Sequence, residues 1–292
     1  MKTRCTMTSQ STVHAFTRVV ILASLVTMTA MPLFAQQARS IDSHPINVAG
    51  GLDFRNAYMF RGVRQDDSGT ITWPSAEVGL RLHAADHGLT SARVRVGTFN
   101  SVHSGWAGSS GPSGKSWYES DVYGTLSLAF ARSFALDSTY TAYHSPNKMF
   151  TNVKEMSFRV STDRAAVNGA SLAPYALVAF ELDTKPALGQ LDGGFAAGKY
   201  LELGATPSHS LRRVGIAMPV KVGLSVDNYY ELAGKDHRFG FVSVSGMATL
   251  PITRALNVHA GVEFQHLGTT TKAFNGGQAS KSIASVGMGL LY

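Results

Sequence analysis

Ser282-Ile283-Ala284-Ser285-Val286-Gly287-Met288-Gly289-Leu290-Leu291-Tyr292 is the stretch on which the reading of the chain turns. Side chains alternate between two faces of an extended backbone. Ala284, Val286, Met288, Leu290 and Tyr292 therefore share one face, and Ser285, Gly287 and Gly289 the other. The same alternation recurs upstream. Ala76, Val78, Leu80 and Leu82 oppose Glu77, Gly79, Arg81 and His83, and Ala92, Val94 and Val96 oppose Arg93 and Arg95. Val220, Val222, Leu224 and Val226 oppose Lys221, Gly223, Ser225 and Asp227. Leu256, Val258, Ala260, Val262 and Phe264 oppose Asn257, His259, Gly261, Glu263 and Gln265. One face is free of charge and the other is polar. In a soluble sandwich the apolar face is the core. In a membrane barrel it meets lipid and the polar face lines the lumen. Periodicity alone leaves both readings open.

Turn-forming clusters divide the chain into twelve such segments: 46–58, 72–84, 89–99, 116–130, 134–144, 153–162, 172–183, 199–206, 219–229, 239–250, 256–267 and 281–292. Every second connection is long and polar: 59–71, 100–115, 145–152, 184–198, 230–238 and 268–280. The others are short at 85–88, 131–133 and 251–255, and longer at 163–171 and 207–218. The last of these, with Pro207, Arg212 and Arg213, fits least well. An even strand number, with long loops on one side and tight turns on the other, predicts an all-β fold: a single antiparallel transmembrane barrel. Tyr58, Phe60, Trp73, Phe99, Trp117, Tyr118, Phe130, Phe134, Tyr200, Tyr229, Tyr230, Phe264 and Tyr292 fall near segment ends. They are expected to form two girdles at headgroup level.

The N-terminus supports export. Lys2, Arg4 and Arg18 are the only charged residues through Gln36, and an apolar run from Val19 to about Met31 precedes Pro32-Leu33-Phe34-Ala35. The expectation is a secretory signal over 1–35, a short periplasmic segment over 36–45, and the barrel over 46–292. Cys5 would leave with the signal, so the mature chain would have no disulfide and no thiol chemistry. Charged residues make up only 15% of the chain, and 29 glycines accompany 15 Phe and 10 Tyr, a strand-and-turn composition. Without the three signal bases the charge excess is small, which gives no reason to expect a nucleic-acid partner.

Two motifs carry resemblances. Ser285, Gly287, Leu290 and Tyr292 resemble the C-terminal assembly signal of bacterial outer-membrane barrels. Tyr58-Met59-Phe60-Arg61-Gly62, followed by Gln65 and Asp67, resembles the opening of the TorF-type porin family. Gly97 to His103 and Ser116 to Asp121 also look like a β-barrel subgroup of unassigned function. The family's frequent Pro-Ala-Val-Gln is replaced here by Trp73-Pro74-Ser75-Ala76-Glu77. The resemblance implies a Gram-negative outer membrane, surrounding lipids, the barrel-assembly machinery as a partner, and passive diffusion of small polar solutes. It implies no cofactor. A closed structural or adhesive barrel with ligand-binding outer loops is the alternative; an outer-membrane lipid hydrolase and a soluble periplasmic β protein stand behind it.

The polar faces suggest where a constriction would lie. Arg81, Arg93 and Arg95 come from two strands joined by a short turn, and Glu119 and Asp121 come from the next. Such a basic ladder facing acids is one way to set ion preference. The alternative is that the same charges form salt bridges that close the lumen. Arg61-Gly62 would end a strand, with Gly62 allowing the turn and Arg61 pairing with Asp66 or Asp67 or pointing into the pore mouth. Catalytic signals are weak: His144-Ser145 and His209-Ser210 are adjacent pairs that point to opposite faces of a strand. Asp66-Asp67, and Asp183 with Asp192, lack the ligand spacing of a calcium loop. No catalytic or metal site is therefore expected.

Overall fold

The structure, a computed structural model, describes residues 45–113, 115–130, 134–162, 166–167, 170–182 and 196–292. The expected signal and nearly all of the 36–45 segment lie outside these residues, as do the 131–133 turn, Asp183 and Asp192. Twelve long strands follow in chain order. They are β1 (Ile46–Arg55), β2 (Ile71–Ala84), β3 (Leu89–His103), β4 (Trp117–Phe130), β5 (Phe134–His144) and β6 (Val153–Thr162). Next come β7 (Tyr175–Glu181), β8 (Lys199–Ala205), β9 (Val220–Asp227), β10 (Phe239–Pro251), β11 (Leu256–Leu267) and β12 (Ser280–Leu291). Each pairs antiparallel with its sequence neighbours, and β12 pairs with β1 from Ala49↔Leu291 to Arg55↔Ser285. The sheet is thereby a closed ring, which leaves no unpaired edge in the wall. Backbone bonds between Val48 and Tyr292, 2.8 Å in each direction, complete the seam.

Closure settles which alternation reading holds. Val78, Leu80, Val96, Val122, Val160, Val244, Val262, Phe264, Val286, Met288 and Leu290 are exposed on the outside of the ring. Glu77, Arg95, Asp121, Glu155, Glu202, Lys221 and Gln265 are buried within it. A water-soluble domain arranges these residues the other way round. An apolar exterior around a ring whose backbone groups are paired is the arrangement lipid requires. The chain is a twelve-stranded transmembrane β-barrel. Both ends of the ring's chain, Ile46 and Leu291, lie on the short-turn side. Ser285 and Gly287 face inward, and Leu290 and Tyr292 face outward.

Two departures from the expected layout have local causes. The 207–218 connection is a β-hairpin, Ser208–Leu211 with Val214–Ala217, whose second strand pairs with β10 and extends the wall on the turn side. Arg212 sits at its tip with φ of 56°. β3 also runs past Phe99 to His103, so that Ser101 and His103 belong to the wall rather than to a loop.

Candidate functional site

The family-like motif does not stand at the barrel's rim. Tyr58–Phe60 and Val63–Asp66 pair as a small hairpin, with Phe60 opposite Val63. The two residues between them have φ of 46° (Arg61) and 85° (Gly62). Both central positions of this turn are left-handed, the type that matches strand twist, and Gly62 adopts it without steric cost. A β-carbon on Gly62 would also meet the Phe241 ring at 3.0 Å. The hairpin is folded into the upper, long-loop half of the lumen. Tyr58, Met59, Phe60, Arg61 and Val63 are all buried there.

Arg61, in the hairpin's turn, is buried. Its Nη1 donates to Glu155 Oε2 at 2.6 Å and its Nη2 to Glu155 Oε1 at 2.8 Å. Nη1 also donates to the Tyr229 hydroxyl oxygen at 2.8 Å. The guanidinium carbon lies 4.2 Å from the Tyr200 ring centroid and 5.3 Å from that of Tyr229. Arg61 and Glu155 are each 2% exposed, so this is a fully buried bidentate pair roofed by aromatic faces. Arg61 thus points into the lumen, and its acid is Glu155 on β6 rather than Asp66 or Asp67. Around it, Tyr58 and Phe60 pack with Trp73, Phe99, Tyr118 and Tyr143, while Met59 and Val63 pack with Tyr200, Tyr229, Tyr230 and Phe241.

These rings correct the girdle expectation. Tyr58, Phe60, Trp73, Phe99, Tyr118, Tyr200, Tyr229 and Tyr230 fill the barrel, because they fall on inward positions of the alternation or on the inserted hairpin. Of the residues expected in the girdles, Trp117, Phe130, Phe134, Phe264 and Tyr292 face outward.

The base of the hairpin is tied to the wall through polar groups. Trp73 Nε1 donates to Ser101 Oγ at 2.8 Å, and Ser101 Oγ lies 2.7 Å from His103 Nε2. His103 Nδ1 is 2.9 Å from Asp66 Oδ2, which also accepts from the Ala107 amide at 3.1 Å. Burial opposes ionisation of Asp66, but hydrogen bonds from His103, Ser68 and Ala107 outweigh it and hold the carboxyl below its ordinary range. An ionised Asp66 fixes the proton on Nδ1, so Nε2 accepts the Ser101 hydroxyl hydrogen. Asp67 is likewise held low: burial opposes, and Lys281 (2.6 Å) and Arg64 (3.1 Å) prevail. Asn275 closes the other side, accepting from the Arg64 amide at 2.7 Å and donating to the Gly62 carbonyl at 2.8 Å.

Ser101, His103 and Asp66 stand in the order of a nucleophile, base and orienting acid. Their surroundings give them another role. All three are buried, Ser101 already accepts the Trp73 indole N–H, and His103 is stacked on Tyr118 at 4.5 Å with Tyr58 at 6.1 Å. The array ties the hairpin to β3.

Arg81, Arg93 and Arg95 all face the lumen in its lower half. Arg81 and Arg93 are opposed in register. Arg93 Nη1 donates to Asn47 Oδ1 at 2.6 Å. Arg95 lies 3.6 Å from Glu77 and 3.5 Å from Asp137. Glu119 and Asp121 also face inward, but at another height. Arg95 is opposite Thr125, whereas Asp121 is opposite Phe99 and Glu119 opposite Ser101. Four residues of strand separate Asp121 from the level of Arg95, about 13 Å at strand rise. The two acids flank Tyr58 of the hairpin instead. No sequence motif marks Glu155, and the alternation places Tyr200 and Tyr229 near segment ends, where an interfacial position is expected. Asn275 carried no sequence signal.

Below the hairpin the wall stays polar. Lys221 lies 3.8 Å from Glu202, Arg55 3.4 Å from Glu263, and His259 2.7 Å from Asp53. Ser243 Oγ, Ser245 Oγ, Thr249 Oγ1 and Gln265 Oε1 face the interior without a hydrogen-bond partner among the described residues.

No family model and no curated protein matches the chain. Among solved structures it is similar to the NanC porin, at 10% identity and a TM-score of 0.44 over 84% of this chain and 98% of that one. It is also similar to an outer-membrane channel from Pseudomonas putida F1, at 9% identity and a TM-score of 0.47 over 84% and 95%. A third is the translocator domain of the autotransporter NalP from Neisseria meningitidis, at 12% identity and a TM-score of 0.46 over 87% and 91%. The closed barrel stands on its own strand pairing rather than on these likenesses.

Proposed function

We propose that the chain is an outer-membrane, porin-like channel for small polar solutes, closed in this state by its own β1–β2 hairpin, with no catalytic role. The observation that carries this reading is the contrast between the two halves of the lumen. The lower half is lined by charged and hydroxyl side chains, buried and in part ion-paired. A polar lining of this kind suits a path for polar solutes once the hairpin leaves the lumen. The upper half is filled by one loop packed against inward rings of the wall. That loop is held at its tip by Arg61 and Glu155 and at its base by Asp66 and His103. The reading keeps the TorF-type resemblance, with the Tyr-x-Phe-Arg-Gly motif as the plug. Outer-membrane lipids around the apolar band and the barrel-assembly machinery, through Ser285, Gly287, Leu290 and Tyr292, are its partners.

The test is conductance in a planar lipid bilayer. Wild-type protein should be mostly silent, with rare openings. A barrel in which Ala57–Asp66 is replaced by a Gly-Ser linker should show discrete steps. A linker variant that folds, shifts with heat on gels as intact barrels do, and never conducts would establish a closed structural barrel instead.

A further inference from the structure

The wall around Arg61 is a finished site without Arg61. Glu155 is on β6, Tyr143 on β5, Tyr200 on β8, and Tyr229 is in the β9–β10 connection. Each is fixed by bonds that do not involve the hairpin. The Tyr143 hydroxyl donates to Glu155 Oε1 at 3.3 Å, the Tyr200 hydroxyl to Glu202 Oε2 at 2.7 Å, and the Tyr229 amide to Ser225 Oγ at 3.0 Å. One carboxylate, presented edge-on beneath two aromatic faces, is what a planar organic cation needs. Two parallel N–H donors meet the carboxylate, and the π-faces meet the charge. Of the four rings and acids named, none belongs to the inserted loop.

We infer that this cage is a binding site for a small organic cation of the guanidinium type, which Arg61 occupies as an internal stand-in. A solute of that class would compete with Arg61 for Glu155, and its binding would favour the state in which the hairpin leaves the lumen. The linkage is reciprocal: whatever holds the hairpin in weakens the solute, and the solute weakens the hairpin. This deepens the channel reading and rests on it, but its test does not depend on conduction. Because five heavy atoms make few contacts, affinity in the millimolar range is expected.

The probe is methylguanidinium, with equal concentrations of sodium and of the neutral isostere methylurea as controls, on full-length protein in detergent. In Arg61→Ala the cage is vacant, and methylguanidinium alone should raise the melting temperature in a saturable manner. Adding Glu155→Gln should abolish that rise. In wild-type protein the same solute should speed hydrogen exchange of the 58–66 amides, because it displaces Arg61. That second measurement decides the matter if Arg61→Ala does not fold. Equal shifts from sodium or methylurea, no shift in folded Arg61→Ala, or wild-type exchange indifferent to methylguanidinium would each overturn the cage. Silence of the linker variant in bilayers, with these shifts intact, would remove the channel and leave the cation site.

Discussion

Removing both partners of the Arg61–Glu155 pair should damage the protein less than the two single removals added together. Arg61→Met keeps an apolar stem beneath Tyr200 but leaves the Glu155 carboxylate, 2% exposed, with only the Tyr143 hydroxyl at 3.3 Å. Breaking a buried pair on one side in this way costs about 3–5 kcal/mol. Glu155→Gln leaves Arg61 with the Tyr229 hydroxyl and one amide oxygen, and should cost about 2–3 kcal/mol. The double variant leaves no unpaired charge, and its loss should fall about 2 kcal/mol or more short of the sum of the two single losses. The loss can appear as release of the hairpin before the barrel unfolds, so both events must be followed. Trp73 reports the first, because its ring lies 5.0 Å from Tyr58 of the hairpin. Urea titration in detergent, read by tryptophan fluorescence and by heat-dependent gel mobility, gives the four stabilities of the cycle. A coupling below about 0.5 kcal/mol, as at an exposed pair, with unchanged Trp73 emission in all variants, would show that the hairpin is held by its rings alone.

Three further outcomes follow from the same geometry. Val262 is 65% exposed on β11, and Val262→Arg should cost about 2–4 kcal/mol if the band meets lipid, whereas Ser245→Asn, a small polar change at an inward position opposite Glu263, should cost about 1 kcal/mol. Equal losses in a lipid-vesicle folding titration would contradict an apolar band facing lipid around a polar interior. Gly62→Ala forces a β-carbon onto a left-handed residue 3.0 Å from Phe241, and about 1–2 kcal/mol of hairpin docking should be lost, seen as faster exchange at 58–66 while β11 and β12 stay protected. Asp66 is held below the ordinary carboxylate range, so its tie to His103 is fully present above that range and is lost as pH falls through the lower folded-state value. Trp73 emission should therefore show an acid step in wild-type protein that is missing in Asp66→Asn; identical acid profiles would rule out this tie.

The alternation of Ser282–Tyr292 and its counterparts determined the architecture by itself. Strand period, turn chemistry and connection length are local properties, and all twelve segments lie where the strands form, to within a few residues. The same locality explains why the 207–218 connection was hard to read: its hairpin is stabilised by pairing with β10, which no nearby residue signals. Whether the apolar face met lipid or a core depended on closure of β12 onto β1, a contact between the two ends of the ring. The hairpin was the least legible part. Tyr58, Phe60 and Arg61 have the composition of an interfacial strand end, and only the packed rings of β2 to β5 and β8 to β10 show that the loop turns inward. Arg61 meets Glu155 across 94 residues and Asp66 meets His103 across 37. Such pairings are fixed by strand order and register around a ring, because the partners share a height in the lumen without sharing a neighbourhood in the chain.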